Sequence, residues 1–252
     1  MRPADGIHGV LRYRDRPMKV TMIGHSTVLI EAAGQRILTD PYFGSWGNLA
    51  YARIAPASRR LDELKNIDLV LVSHNHWDHT DFRFFRSLAG SVPVVAPRTS
   101  AWLTRLKGAR NVIGLRKWEH RQFGPVGVTA VPALHIAITH GFVLQAEGKN
   151  LYFAGDTYYR EFMKEIGTRF ALDLALLPVT TFQIPMTMGE KSALRAVQAL
   201  SPKVVIPIHL GIMPRSPLLR TSQTPAGFWK RVREAGLQVE VKILREGESW
   251  EG

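Results

Sequence analysis

The 252-residue chain contains no cysteine. That absence excludes a disulfide framework, a thiol nucleophile and any thiolate ligand, so a bound metal must be held by nitrogen and oxygen. Long hydrophobic runs are missing too. No stretch approaches the roughly 18 apolar residues of a membrane span, and the opening MRPADGIHGV lacks the apolar segment of a secretory signal. The expectation is a cytoplasmic protein with no membrane span. Acidic residues are in deficit, with 21 Asp and Glu against 33 Lys and Arg and a formal charge of +12. What remains is ample for a core, since 45% of the residues are hydrophobic. With no linker, low-complexity segment or short repeat, residues 1–252 read as one domain.

The basic excess crowds into three places: Arg12, Arg14, Arg16 and Lys19; then Arg105, Lys107, Arg110, Arg116, Lys117 and Arg121; then Lys230, Arg231 and Arg233. Such an excess favours an anionic partner: a small anionic substrate such as a phosphate ester, nucleic acid, or an acidic membrane surface. In the middle group Trp102 and Trp118 offer stacking faces to bases. The same segment also reads as an ordinary amphipathic surface, with Leu103, Leu106, Val112 and Ile113 in the core and the charges in water, and this reading is preferred. Nothing in the sequence decides between a monomer and a homo-oligomer.

Apolar runs of strand type cover 18–23, 27–32 and the start of QRILTDPYF, which ends at Asp40-Pro41 where proline stops sheet pairing, and recur at 69–72, 92–96, 126–131, 151–154, 174–179, 204–208 and 239–244. Amphipathic stretches lie at 98–109, 160–168, 189–200 and 224–235. Strands cluster early and alternate with helices later, which predicts an α/β sandwich with helices outside.

The chemistry concentrates in SHNHWDHTD, residues 73–81. His74, His76, Asp78 and His79 follow a buried strand and precede a short helix with Phe82, Phe85 and Leu88 on one face. In α/β folds that strand edge is where ligands bind. Burying three histidines and an aspartate together is costly without a cation. Three other strands end in a potential ligand: VTAVPALH delivers His135, LYFAGDT delivers Asp156 and VVIPIH delivers His209. Alone, His135 or His209 reads as a structural histidine and Asp156 as a turn residue; beside the cluster, their shared placement makes them ligands. Five imidazoles and two carboxylates suit zinc, iron or manganese. They are too many for one tetrahedral ion and fit two ions sharing Asp156 as a bridge. His140 is a weaker rival to His135, and His8 and His120 read as surface residues.

The HxHxDH pattern followed by His135, GDT and His209 resembles the metallo-β-lactamase superfamily, from about Val20 to Gly211. IGHSTVLIE, ILTDPYF and TMGEKSALRAVQALSPKVVIPIHLG resemble its branch of L-ascorbate-6-phosphate lactonase-like hydrolases and N-acyl-phosphatidylethanolamine phospholipase D. The resemblance implies a four-layer αββα sandwich of two mixed sheets. It implies one divalent metal, zinc by preference, on His74, His76 and His135, and a second on Asp78, His79 and His209, with Asp156 between. Asp40 in TDP would orient a ligand histidine, and His25 in GHS would lie at the site mouth, touching substrate or a ligand. His76 stands where oxygen-reducing diiron relatives carry glutamate, which argues for hydrolysis.

The function expected is therefore a dinuclear metal-dependent hydrolase. A hydroxide between the ions would attack a carbonyl carbon or phosphorus, with Asp78 orienting it and taking its proton. Phosphodiesterase and lactonase activity both fit, with a small anionic substrate preferred and a phosphate-containing one favoured. A nuclease-like enzyme is the alternative, and a non-catalytic metal-stabilised module is disfavoured because all seven ligand positions are filled.

Overall fold

The computed structural model describes residues 17–44 and 47–252. The basic Arg12, Arg14 and Arg16, together with His8, lie outside the described residues. Two seven-stranded sheets face one another. The first is ordered β16 (Ser249–Glu251), β1 (Lys19–Gly24), β2 (Thr27–Ala32), β3 (Gln35–Thr39), β5 (Leu69–Leu71), β6 (Pro93–Pro97), β7 (Asn111–Leu115). Its pairings are antiparallel from β16 to β3 and parallel from β3 to β7. The second is ordered β15 (Glu240–Val241), β13 (Val204–Ile208), β12 (Leu174–Pro178), β11 (Lys149–Phe153), β10 (His140–Ala146), β9 (Val126–Pro132), β8 (His120–Phe123). It repeats the scheme, parallel at one side and antiparallel at the other. A small ribbon pairs β4 (Tyr51–Arg53) with β14 (Ile212–Pro214).

The period-2 alternation of strand side chains builds the layers. In β2, Val28 and Ile30 enter the core between the sheets, while Leu29 faces the helices α1 (Phe82–Ser87) and α2 (Ala101–Leu106). In β12, Leu174 and Leu176 point inward, and Ala175 and Leu177 face α3 (Phe162–Arg169), α4 (Glu190–Leu200) and α5 (Pro225–Glu234). The result is the four-layer αββα sandwich with two mixed sheets. Among the described residues no helix is long and apolar enough to cross a membrane.

Several local expectations are corrected. The strand in QRILTDPYF ends at Thr39, at the expected Asp40-Pro41 stop, but the turn is made by Asp40 itself, whose φ of +32° takes the chain out of the extended conformation. The strand expected over 239–244 pairs only at Glu240–Val241, at an open sheet edge where burial has faded. In α1 the buried pair is Phe84 and Phe85, and Phe82 is exposed, so the expected 82–85–88 face is rotated. Leu106 is exposed as well and Leu103 only half-buried, since α2 is six residues long and turns Ala101 and Thr104 to the sheet.

Candidate metal centre

His74, His76, Asp78 and His79 follow the carboxyl end of β5, and Asp40 follows the adjacent end of β3. His135, Asp156 and His209 follow β9, β11 and β13 of the facing sheet. The sandwich therefore gathers all seven predicted ligands at one edge. Apart from half-buried His76, all are buried. The chain leaves these strands by unusual backbone: His25, Asp40 and His209 carry φ values of +59°, +32° and +63°. Such conformations cost energy in residues other than glycine and concentrate at functional sites.

Two ligand-like groups form. The donor atoms of His74, His76 and His135 lie within 4.8 Å of one another, as do those of His25, Asp78, His79 and His209. Asp156 sits between them. Its Oδ2 is 3.1 Å from His209 Nε2, 3.5 Å from His79 Nε2 and 3.8 Å from His135 Nε2. Gly155 makes this placement feasible, because a Cβ there would lie 2.4 Å from Ser73 Cβ.

Hydrogen bonds fix which nitrogens are free. Asp40 Oδ1 accepts the Ser73 backbone N–H at 2.6 Å, and Oδ2 accepts the Ser73 hydroxyl at 2.5 Å. With its proton given away, that hydroxyl accepts from His74 Nδ1–H at 2.9 Å. Asp40 Oδ2 also accepts from His79 Nδ1–H at 2.7 Å. In both imidazoles this assigns the proton to Nδ1 and leaves the Nε2 lone pair open. His74 Nε2, His79 Nε2 and Asp156 Oδ1 are buried without a hydrogen-bond partner. Orphaned acceptors converging in this way fit a cation and little else. Asp40, by contrast, has its oxygens engaged by Ser73 and His79, which suits it to orient candidate ligands rather than to be one.

His25 is also buried, and its Nδ1 accepts the Gly211 N–H at 3.1 Å. Its proton is thus on Nε2, which donates to Asp78 Oδ2 at 3.2 Å. Burial, reinforced by His209, pushes the His25 pKa down to about 3, so it stays neutral. Burial alone would raise the Asp78 carboxyl, but His79 and His25 hold it below the ordinary range. His79 is buried too, yet Asp156, Asp78 and Asp40 around it raise its affinity for a proton. A cation at Nε2 would answer the same excess of carboxylate.

A cavity of about 200 Å³ opens over this cluster, reaching His76, Asp78, His135, Asp156 and His209. Its other walls are Tyr51, Trp77, Ile136, Phe182, Met186 and Ile212. Sequence reasoning missed this apolar wall, whose members come from the β4–β14 ribbon and from separate loops with no shared period. His140, the rival to His135, stands apart at the start of β10, and His120 is exposed as expected. Lys107 was also missed as a support of the cluster. Its Nζ donates to the Asn75 carbonyl at 2.7 Å, to the His76 carbonyl at 3.5 Å and to the Thr80 hydroxyl.

Residues 35–210 match the family model described as the Beta-lactamase superfamily domain. A UPF0173 metal-dependent hydrolase of Pelotomaculum thermopropionicum is 36% identical, covering 93% of this chain and 100% of that protein. One from Methanopyrus kandleri is 32% identical with the same coverage, 93% and 100%. A solved metallo hydrolase from the hyperthermophilic archaeon Ignicoccus hospitalis superposes with a TM-score of 0.76 at 27% identity, covering 93% of this chain and 99% of that one. Fold, edge-on histidine–aspartate cluster and relatives agree, and the chain belongs to the metallo-β-lactamase superfamily as a metal-dependent hydrolase.

Proposed function

We propose that the chain hydrolyses a lactone or small ester with two divalent transition-metal ions. His74, His76 and His135 would hold one, Asp78, His79 and His209 the other, and Asp156 both. The observation that carries this reading is Asp156 Oδ2, a single carboxylate oxygen within 4 Å of imidazole nitrogens from both groups. Bound there, such ions supply a water acidified toward neutral pH and Lewis acidity for the substrate oxygen. The chain's residues do the rest. Asp78, held ionised and aimed by the His25 N–H, accepts the proton of the attacking water. Trp77, Ile136, Phe182 and Met186 pack on the substrate's acyl body and exclude bulk water. Imidazole and carboxylate donors suit zinc, with manganese and iron as alternatives.

The +12 charge favours a phosphodiester instead. Against it, the walls of the 200 Å³ cavity carry no Lys or Arg. A nucleic-acid substrate has less support, because Lys107 is spent on the metal loop and Arg105 donates to the Val112 carbonyl at 2.8 Å. Purified protein should carry two transition-metal equivalents and hydrolyse members of a lactone and aryl-ester panel faster than bis-p-nitrophenyl phosphate. Asp156→Asn should lose one equivalent and most turnover. Full turnover with one metal per chain would refute the dinuclear reading, and faster phosphodiester cleavage would reverse the substrate assignment.

A further inference from the structure

A second cavity, about 870 Å³, adjoins the first across the segment that carries His135. The segment alternates: Leu134 and Ile138 line this outer cavity, Ile136 lines the one over the ligand cluster, and His135 touches both. The same cavity also has a cationic lining. Arg98 follows β6, and Arg116 and Lys117 follow β7, so all three leave the carboxyl ends of parallel strands of the sheet whose β5 leads into the metal loop. No carboxylate lines this cavity. The nearby acid, Glu119, is turned to accept the Arg116 backbone N–H at 2.8 Å. All three cationic side chains are exposed, and none makes an ion pair with another described residue.

Three unpaired cations sharing a cavity with apolar Leu134 and Ile138 and with the candidate ligand His135 form a surface for an oxyanion carried on a hydrocarbon body. We propose that this cavity is the anion subsite of the substrate cleft. It holds a carboxylate or phosphate at the far end of a molecule whose scissile carbonyl lies over His135 and Asp156. The substrate class is thus an ester or lactone with an acidic group separated from the reacting bond. This assignment rests on the hydrolase reading for its scissile end and on Arg98, Arg116 and Lys117 for its anionic end. It also reconciles a strongly basic chain with a reaction cavity that no Lys or Arg lines: the basic charge recognises one end of the substrate and takes no part in the chemistry at the other.

The test compares two aryl esters of similar length, p-nitrophenyl butyrate and mono-p-nitrophenyl glutarate, in the wild type and in a variant combining Arg98→Gln, Arg116→Gln and Lys117→Gln. All three positions are exposed, so the fold should persist, which circular dichroism verifies. An exposed cation contributes roughly a two- to threefold effect, so together they should lower the glutarate-to-butyrate ratio of kcat/KM about tenfold, through KM. Calorimetry with glutarate and with inorganic phosphate runs in parallel, and whichever anion gives heat in the wild type and none in the variant identifies the group recognised. A ratio that stays within about twofold overturns the subsite, even if an anion binds. Should neither ester turn over, the hydrolase reading fails separately. Calorimetry then decides: heat lost in the variant keeps the anion cavity, and no heat in the wild type removes it.

Discussion

His25 Nε2 lies 3.2 Å from Asp78 Oδ2, and its other nitrogen is capped by the Gly211 N–H at 3.1 Å. The cap leaves the imidazole no lone pair to offer, although it sits within ligand distance of Asp78, His79 and His209. It also requires glycine, since a Cβ on Gly211 would lie 3.0 Å from the His25 backbone. His25 therefore acts as a positioning residue for Asp78. His25→Asn tolerates the φ of +59° but is too short to keep the contact. The expected outcome is unchanged metal content with kcat lowered about 10–100-fold, the range for partners of ligand groups. Loss of one metal equivalent by elemental analysis would instead make His25 a ligand.

Lys107 connects α2 to the loop that carries four candidate ligands, by donating to the carbonyls of Asn75 and His76. The amine is half-buried, and burial lowers its pKa, with Asp78 partly opposing. Lys107→Met would leave those carbonyls short of a donor at a cost of about 1–2 kcal/mol. For a chain of this size that corresponds to a fall in Tm on the order of 5 °C. Metal affinity should fall alongside, measured by competition with a chromophoric chelator. Unchanged Tm and affinity would show that the loop holds its shape without this support.

The fold was legible in the sequence where burial dictates periodicity. The continuous apolar runs at 69–71 and 174–178 are strands because both faces are covered, and the candidate ligands His74, His76, Asp78 and His79 follow the first of them. Other elements gave weaker signals. In β7 only Val112 and Leu115 are buried, and β8 has no buried residue, so neither shows a clean pattern. In β10 the opening His140 and Gly141 disguise a strand that is nearly all buried. The seven candidate ligands stood out in the sequence because metal chemistry restricts residue type, and the fold gathers them at one edge. The apolar cavity wall did not, because Tyr51, Ile136, Phe182 and Ile212 meet only through tertiary folding. The basic segment 105–121 divides by geometry invisible to spacing: Arg105 and Lys107 are committed to backbone carbonyls, while Arg116 and Lys117 face a cavity.

His140 gives a pH prediction separable from the metal ligands. Its ring is buried, its Nδ1 has no hydrogen-bond partner, and burial, reinforced by Lys117, pushes its pKa from 6.5 down to about 4. Near neutral pH it is uncharged in both folded and unfolded chains, so it contributes no pH dependence there. As pH falls below 6.5 the unfolded chain binds a proton that the folded chain refuses until about pH 4. Stability is therefore lost across that window and levels off below it, by about 1.4 kcal/mol per pH unit and on the order of 3 kcal/mol in all. His140→Leu removes this contribution and keeps the backbone N–H that bonds Ser73 at 3.1 Å. Urea denaturation of both proteins in steps from neutral pH to pH 4 measures the difference, in which ionisations common to the two chains cancel. The variant should gain on the wild type as the solution is acidified. Parallel stability curves would mean that the buried ring takes up its proton without resistance.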